Sequence, residues 1–557
     1  MHIRMKLLPL ALFALGPNAY AQALPGAGTQ LRQVTPPTLP RATAPTIRIE
    51  EASPTAAGDA STASVLVNAL QFSGAQAYTP AQLLAISQFQ PGSQLTLAQL
   101  QAMAARITEH YRRRGYFVAR AYLPAQDITG NVVTIAVSEG RYGQINLRNH
   151  SRLGDQHARD LLAGIDSGDT LLIEPLESRL LLLSDIPGVR VSSTLVPGAT
   201  QGTSDLLVDV ADSRRVTGQV DIDNAGNPYT GEWRAGGTVN FNNLAGRGDV
   251  ASLRVQTSGR GLSYGRASYQ MPFGRAWLGV AYSRLDYALG KQFADLGAHG
   301  TADVASLFGG VALLRSRDSN LYFGAGYDRK TLKDELDLFP SAGRVAHANV
   351  GYVSLYGNHD DNFGGGGSNA FFVSASRGRL DIQTPAALLA DAATARTNGS
   401  YGKLAFSASR LQRLGNSWSL NASVSGQLAS RNLDPSEKFV LGGMDGVRAY
   451  PQGEAFGDEG YLASVEARYL LGRMSGHLPG QVQLLGFVDA GKVTINKEPW
   501  YVGPNRRSLS AAGVGATWND PGNFALRMYY ARKLGDEFAM SAPDKSGRFW
   551  IQAVKYF

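Results

Sequence analysis

The feature that most constrains this chain is its long C-terminal part, Ser213 to Phe557, where short segments alternate apolar residues with polar or small ones. In the segment LASVEARY, Val465 lies on one face of an extended strand and Glu466 on the other. Alternation with a period of two predicts β-strands. Strands with one apolar face and one charged face are typical of a transmembrane barrel around a wet lumen, here with about 16 strands.

Two observations favour a membrane barrel over a soluble β-sandwich, which also alternates. The region is long for one sandwich, and charged residues recur opposite the apolar face over many strands. After the N-terminus, no apolar run approaches the roughly 18 residues of a membrane helix. A membrane protein without membrane helices has to be a closed barrel. The sequence therefore predicts a transmembrane antiparallel β-barrel at 213–557.

The N-terminus has the pattern of a secretory signal peptide over residues 1–21. Arg4 and Lys6 precede an apolar run at 7–15, and an A-Y-A motif predicts cleavage after Ala21. A helix of the mature domain is the weaker alternative, because the run is short and its flanks fit export. Cysteine is absent, which excludes disulfides and thiolate metal sites.

The region between the signal peptide and the barrel divides into three parts. Residues 22–62 are rich in Pro, Ala and Thr and are interpreted as a linker, with a plug helix as the alternative. Residues 63–140 and 141–212 each follow a β-α-α-β-β order, which predicts two small α+β modules in tandem. The helix that starts after Thr96 is the clearest element, because its apolar residues follow helical spacing.

Enzyme motifs occur only as chance matches. The segment at 261–265 fits G-x-S-x-G and the segment at 486–492 fits G-x-x-x-x-G-K, but no helix is predicted after either. The eight histidines lack metal-ligand spacing. The net charge of +8 comes from interspersed charges and does not indicate nucleic acid. We therefore predict no enzymatic activity, no cofactor, no metal and no nucleic-acid partner.

Several segments together resemble the two-partner-secretion transporters, the haemolysin-activator and filamentous-haemagglutinin-exporter family. They are YRRRGYFVARAYLPAQDITGNVVTIAVSEG, DIDNAGNPYTGEWRAGG, NNLAGRGD, GVRAYPQGEAFGDEGY and GFVDAGKV. The resemblance covers nearly the whole mature chain. It implies two periplasmic polypeptide-transport-associated (POTRA) modules, at 63–140 and 141–212, before an outer-membrane barrel.

The resemblance also implies a function and partners. The protein would export a large unfolded exoprotein, bearing a two-partner-secretion domain, from the periplasm to the cell surface. It would work as a monomer in the lipid bilayer of the outer membrane, inserted by the barrel-assembly machinery. An assembly factor of the same superfamily and a passive porin are the alternatives. The former usually has more POTRA modules, and the latter leaves residues 65–212 without a purpose.

A Gly-rich segment, LGGMDGVRAYPQGEAFGDEGY, lies between the strand-like runs KFVL and YLASVEARYL and is too long for a hairpin turn. We predict a loop at 442–460, which by resemblance folds into the barrel lumen. Its tip matches the family motif V-R-G-[YF], with Ala in the third position, and the barrel wall matches F-x-D-x-G. The tip residues are Val447, Arg448, Ala449 and Tyr450, and the wall residues are Phe487, Asp489 and Gly491.

The residues themselves support part of this expectation. Alternation in QVQLLGFVDAGK places Asp489 opposite Leu484 and Val488, so Asp489 points into the lumen if the apolar face meets lipid. A carboxylate there needs a cation, and Arg448 can bind it with two hydrogen bonds. A solvated Arg448 and an ordinary lumen carboxylate are the alternative.

The C-terminal segment RFWIQAVKYF ends on Phe557. A last strand that closes on an aromatic residue is, by resemblance, the signal read by the barrel-assembly machinery. Lys555 lies on the apolar face of this strand, and we expect it near the membrane interface.

Overall fold

The structure is a computed structural model that describes residues 24–34, 46–49, 64–472 and 479–557. The predicted signal peptide, 1–21, lies outside these residues. No helix in the described part of the chain is both long and apolar enough to cross a membrane.

Two short elements lie within the predicted linker. They are helix α1 (Ala27–Leu31) and strand β1 (Thr46–Ile49). Both elements pack against distant parts of the chain, as described below.

The first module contains a small sheet packed on two helices. Thr79 and Thr96 start the helices with capping boxes, in which each threonine side chain accepts from the third helical residue. One strand more than predicted separates the helices, and GYFVARAYL contributes only three strand residues. The elements are β2 (Ser64–Val67), β3 (Ala69–Ser73), α2 (Pro80–Ser87), β4 (Ser93–Thr96), α3 (Leu97–Arg113), β5 (Arg120–Tyr122) and β6 (Val132–Ser138).

The second module has the predicted β-α-α-β-β order. Its elements are β7 (Arg141–His150), α4 (Asp155–Leu162), α5 (Ile173–Ser184), β8 (Val189–Pro197) and β9 (Thr203–Asp212). The sheet order is β1-β8-β9-β7, so the N-terminal segment supplies a fourth strand. Strand β1 runs parallel to β8, with Arg48 opposite Thr194, and occupies the edge that β8 would otherwise expose.

Sixteen strands of the described residues close into an antiparallel barrel, which confirms the predicted fold and strand number. The first strand, β10, pairs with the last, β27. The strands from β10 onward are β10 (Val216–Asp223), β11 (Arg234–Asn242), β12 (Val250–Thr257), β13 (Leu262–Phe273), β14 (Ala276–Ala288), β15 (Ala298–Arg315), β16 (Ser319–Leu336), β17 (Arg344–Asp361), β18 (Gly367–Ile382), β19 (Gly399–Arg413), β20 (Trp418–Ala429), β21 (Phe439–Val440), β22 (Phe456–Gly457), β23 (Glu459–Gly472), β24 (Gln481–Thr494), β25 (Arg506–Asp520), β26 (Phe524–Lys533) and β27 (Gly547–Tyr556). All except β21 and β22 belong to the barrel.

Because β10 follows the second module directly, we call that end of the barrel the module end and the opposite end the far end. The connection between β18 and β19 lies at the far end and contains helix α6 (Pro385–Ala393). Helix α6 has no buried residue.

The predicted faces of the strands are observed. On β24, Leu484 and Val488 are 44% and 49% exposed on the outer surface, whereas Asp489 is fully buried on the inner one. On β12, Arg254 faces inward and is buried, whereas Val255 faces outward. Apolar side chains therefore cover the outside of the barrel, and charged ones line or bridge its lumen.

Salt bridges fix the second module against the module end of the barrel. Arg315, which ends β15, binds both carboxylate oxygens of Asp185 at 2.7 and 2.8 Å. Arg317 in the following turn lies 2.7 Å from Glu177 on α5. Burial raises the pKa of Glu177, and the charge of Arg317 opposes that shift.

Candidate functional site: a locked loop in the barrel lumen

The long loop connects β20 to β23 at the far end and comprises residues 430–458. The predicted bounds, 442–460, are wrong at both ends. The run KFVL is not a barrel strand, because Phe439–Val440 pairs with Phe456–Gly457 as a small ladder inside the loop. The barrel strand that follows begins at Glu459. A short extended run fits either arrangement, and only the tertiary pairing decides between them.

Arg448, at the tip of the loop, is 5% exposed and meets Asp489 on the wall. Its Nε and Nη2 donate to the two oxygens of Asp489 at 2.8 and 2.7 Å, and its backbone N–H donates to the same carboxylate at 3.2 Å. Nη1 donates to Glu466 on β23 at 2.8 Å. One guanidinium thus pairs with two carboxylates on adjacent strands, in the planar geometry that favours arginine over lysine.

Aromatic and hydroxyl groups complete the surroundings of Arg448. Its guanidinium carbon lies 3.3 Å from the centre of the Phe487 ring and 5.1 Å from that of Tyr529. Ser464 donates to Asp489 at 2.8 Å and accepts from Arg448 at 3.1 Å. Burial alone would lower the pKa of Arg448. The hydrogen bonds and charges of its carboxylate partners have the larger opposite effect, so the pKa is raised and the guanidinium stays charged.

The other tip residues are buried as well. Val447, Ala449 and Tyr450 are fully enclosed, and the Tyr450 hydroxyl donates to the carbonyl of Glu537 at 3.1 Å. Ala449 replaces the family glycine without strain, because it is not among the residues with positive φ. On the wall, a side chain at Gly491 would place its Cβ 2.4 Å from Leu441, so glycine lets the loop approach the strand.

Two further anchors of the loop were not predicted. The indole of Trp550, on the last strand, donates to the Arg448 carbonyl at 2.7 Å. Glu454 pairs with Arg507 on β25 and accepts from the Ser541 backbone at 2.8 Å. Alternation in RFWIQAVKYF places Trp550 opposite Phe549 and therefore indicates that it faces inward, but no sequence signal gives its partner.

The base of the loop is held by buried charges. Glu437 accepts from Lys330 at 2.5 Å and from Lys403 at 2.6 Å, on two separate barrel strands. Lys438 lies 2.7 Å from Asp458, the last residue of the loop, so this ion pair connects the two sides of the loop at its base. The loop is thus fixed at its base and at its tip.

Helix α1 lies inside the barrel toward the far end, in contact with the loop. The Ala27 N–H donates to Asp334 on β16 at 2.6 Å, and Gln33 accepts from Asn227 at 3.1 Å. A Cβ at Gly28 would lie 2.6 Å from the backbone nitrogen of Ser436, so the helix touches the base of the loop. Helix α1 and the loop therefore occupy the lumen together.

The last residue, Phe557, is 44% exposed beside the seam between β10 and β27. Its backbone exchanges two hydrogen bonds with Gly218, at 3.0 and 3.1 Å. Lys555 faces outward near the module end, beside Asn523. The seam is short, with five residue pairs from Gln219 to Asp223.

Comparison with known proteins gives two family matches. Residues 202–518 match the family described as haemolysin secretion/activation protein ShlB/FhaC/HecB, and residues 65–140 match the ShlB-type POTRA domain. The chain is 28% identical over 477 residues to the heme/hemopexin transporter protein HuxB of Haemophilus influenzae, covering 84% of this chain and 82% of HuxB. It is 27% identical over 435 residues to the outer membrane transporter CdiB of Dickeya dadantii, covering 76% and 74%.

A solved structure supports the fold. CdiB from Escherichia coli superposes with a TM-score of 0.67 at 21% sequence identity, covering 91% of this chain and 93% of that one. At this identity, the likeness concerns the architecture of barrel and modules.

POTRA modules before a closed barrel define a superfamily of outer-membrane proteins that includes both protein translocators and the assembly factors mentioned above. Within that superfamily, the chain belongs to the haemolysin secretion/activation protein family ShlB/FhaC/HecB. The family resemblance inferred from the sequence is thereby confirmed. The protein is an outer-membrane two-partner-secretion transporter that exports a large partner protein.

Proposed function

We propose that the loop tip is the lock of this transporter. The observation that carries the proposal is the contact of Arg448 with both oxygens of Asp489 while it also holds Glu466. Removal of one partner from a desolvated ion pair leaves an uncompensated charge, which costs about 3–5 kcal/mol. The contact therefore favours a single closed position of the loop, and the exported chain passes only after it opens.

Helix α1 acts with the loop as a plug. Its contacts with Asp334 on the wall and with Ser436 in the loop couple the two elements. Because helix α1 and the loop fill the same lumen, both have to move aside before a client chain can pass. This arrangement favours gated export over the passive porin alternative.

The second module captures the client by strand addition, a common mode of peptide recognition. Strand β1 already occupies the β8 edge through residues 46–49. A client strand that pairs with β8 must therefore displace β1. Because β1 and α1 belong to the same N-terminal segment, client binding would also pull on the plug.

The remaining assignments follow from the predicted export of the chain. The signal peptide is cleaved after Ala21, the modules lie in the periplasm, and the far end of the barrel faces the cell exterior. Phe557 is the signal for the barrel-assembly machinery. The transporter works as a monomer without enzymatic activity, and its partner is an exoprotein with a two-partner-secretion domain.

The test is secretion of that partner into the medium by cells carrying the wild type, Arg448→Ala or a deletion of residues 65–212. Heat-modifiable gel mobility checks that each barrel is inserted. Arg284→Gln is the matched control, because Arg284 is an arginine on the outer surface. The proposal is supported if both variant barrels are inserted but no longer secrete the partner, while the control secretes it normally. Unchanged secretion by Arg448→Ala would refute the lock.

A further inference from the structure

On one side of the barrel, three exposed arginines lie close together on the outer surface toward the far end. They are Arg329 on β16, and Arg377 and Arg379 on β18. On β18 they alternate with Gly378 and Leu380, which are buried on the inner face. All three guanidinium groups therefore project from the side of the barrel that meets lipid.

Strand register brings the three arginines together. Arg329 lies opposite Asn349 on β17, which in turn lies opposite Arg379. Neighbouring strands are about 4.8 Å apart, so the Cα atoms of Arg329 and Arg379 are roughly 10 Å apart on one surface. In the next row, Gly351 separates Tyr327 from Arg377.

The space among these residues is open and lined by donors. A Cβ at Gly351 would meet only the Arg377 carbonyl, at 4.0 Å. The Tyr327 hydroxyl donates to the Asn349 side-chain oxygen at 3.1 Å, and none of the described residues accepts from the N–H groups of that amide. Guanidinium and amide N–H groups can only donate hydrogen bonds.

Two outward arginines on other strands, Arg410 and Arg284, have protein counter-ions, and these three do not. Arg410, near the module end, lies 2.7 Å from Asp361, and Arg284 lies 3.0 Å from Asp286. In the described part of the chain, no carboxylate forms an ion pair with Arg329, Arg377 or Arg379. Asp381, the next outward residue on β18, instead accepts from Gln383 at 2.7 Å.

The position of the three arginines matches one border of the membrane. Toward the module end, the outward residues of β18 are apolar, including Phe371 and Val373, until the polar Asn369. The distance from Asn369 to Arg379 is about 33 Å along the strand, which at a tilt of about 40° gives a height of about 25 Å, equal to that of the apolar band of such barrels. The arginines thus lie where the head groups of the far-end leaflet begin.

We infer that Arg329, Arg377, Arg379 and Asn349 form a binding site for the phosphate groups of an outer-leaflet lipid. Planar guanidinium groups bind phosphate with paired hydrogen bonds, and cations at a membrane surface attract anionic lipids. A head group with two phosphates on linked sugars can span the roughly 10 Å between the strands. The assignment of the leaflet rests on the orientation given under the proposed function.

The test compares lipid binding by the full-length protein in neutral detergent. The probes are lipid A with both phosphates, the same lipid after chemical dephosphorylation, and inorganic phosphate. The triple variant Arg329→Gln, Arg377→Gln, Arg379→Gln is expected to bind phosphorylated lipid A about tenfold more weakly, or worse, because three cations are lost. The single variant Arg284→Gln is the control and is expected to bind as the wild type does.

Equal binding of the two lipid forms by the wild type, or unchanged binding by the triple variant, would overturn the inference. Displacement of the lipid by an equal concentration of inorganic phosphate would also overturn it, because the site would then serve soluble anions. Heat-modifiable mobility shows that the triple variant is folded. Partner secretion, measured in parallel with Arg448→Ala, separates a failure of this site from a failure of the proposed lock.

Discussion

Trp550, in the strand that closes the barrel, donates its indole N–H to the carbonyl of Arg448 at 2.7 Å. The tip of the loop is therefore held from two sides, by Asp489 on β24 and by Trp550 on β27. Asp489 binds the guanidinium of Arg448, whereas the Trp550 indole binds its backbone carbonyl. The lock depends on both.

Trp550→Phe is expected to loosen the tip, because it keeps the ring but leaves the buried Arg448 carbonyl without a donor. Such a loss costs about 1–3 kcal/mol. The chain contains no cysteine, so Ala449→Cys provides a single thiol whose labelling rate reports opening. We expect faster labelling with Trp550→Phe. Trp518→Phe, which removes an indole bond to Pro479 at the module end, is the control and should leave the rate unchanged.

Arg448 and Asp489 are expected to be strongly coupled. Each single alanine variant leaves a buried charge and should destabilise the closed loop by about 3–5 kcal/mol. The double variant should lose less than the sum of the two, because no charge remains uncompensated between them. The measurement is the thiol-labelling rate of Ala449→Cys in the four backgrounds. Additive effects would contradict a direct interaction.

Glu437→Gln is expected to release the base of the loop, because Lys330 and Lys403 would face each other without an anion. Because Ser436 touches helix α1, the plug should loosen as well. Conductance of the protein in planar lipid bilayers should rise. Glu335→Gln, on the outer surface of β16, is the matched control. Equal conductance of the two variants would show that Glu437 does not hold the base of the loop in place.

Strand β1 is expected to leave the β8 edge during export. Arg48→Cys with Thr194→Cys would join directly opposite positions, and the oxidising periplasm favours the disulfide. Partner secretion should stop and recover after mild reduction. The control pair, Gln71→Cys with Thr134→Cys, joins two parallel strands of the first module and should not affect secretion. Undiminished secretion with a fully formed disulfide between positions 48 and 194 would show that β1 does not have to move.

The sequence predicts the barrel well because alternation is a local signal that each strand repeats. It also places Asp489 in the lumen, since the apolar Leu484 and Val488 can lie only on the opposite face. The pairing of Arg448 with Asp489 was predicted from the family resemblance, because the sequence around either residue does not identify the other as its partner.

The errors have a common physical cause. KFVL has the pattern of a strand, and its short ladder with Phe456–Gly457 depends on how the loop folds back. Strand β1 was not predicted and helix α1 was predicted only as an alternative to a linker, because both are too short to show a period. Each is ordered by a distant partner, Asp334 for α1 and β8 for β1. The anchors Trp550 and Glu454 likewise depend on contacts between distant parts of the chain.

The position of the loop in the chain sets the order in which the lock can assemble. Among the described residues, every hydrogen-bond partner of Arg448 on the barrel wall, from Ser464 to Trp550, lies C-terminal to Arg448. Non-local contacts form late, because the entropy of loop closure has to be overcome first. The strand that bears Trp550 is also the one that pairs with β10 to close the barrel. Sealing of the wall and locking of the loop are therefore the same late event, so a barrel that closes correctly is already shut when it first becomes a pore.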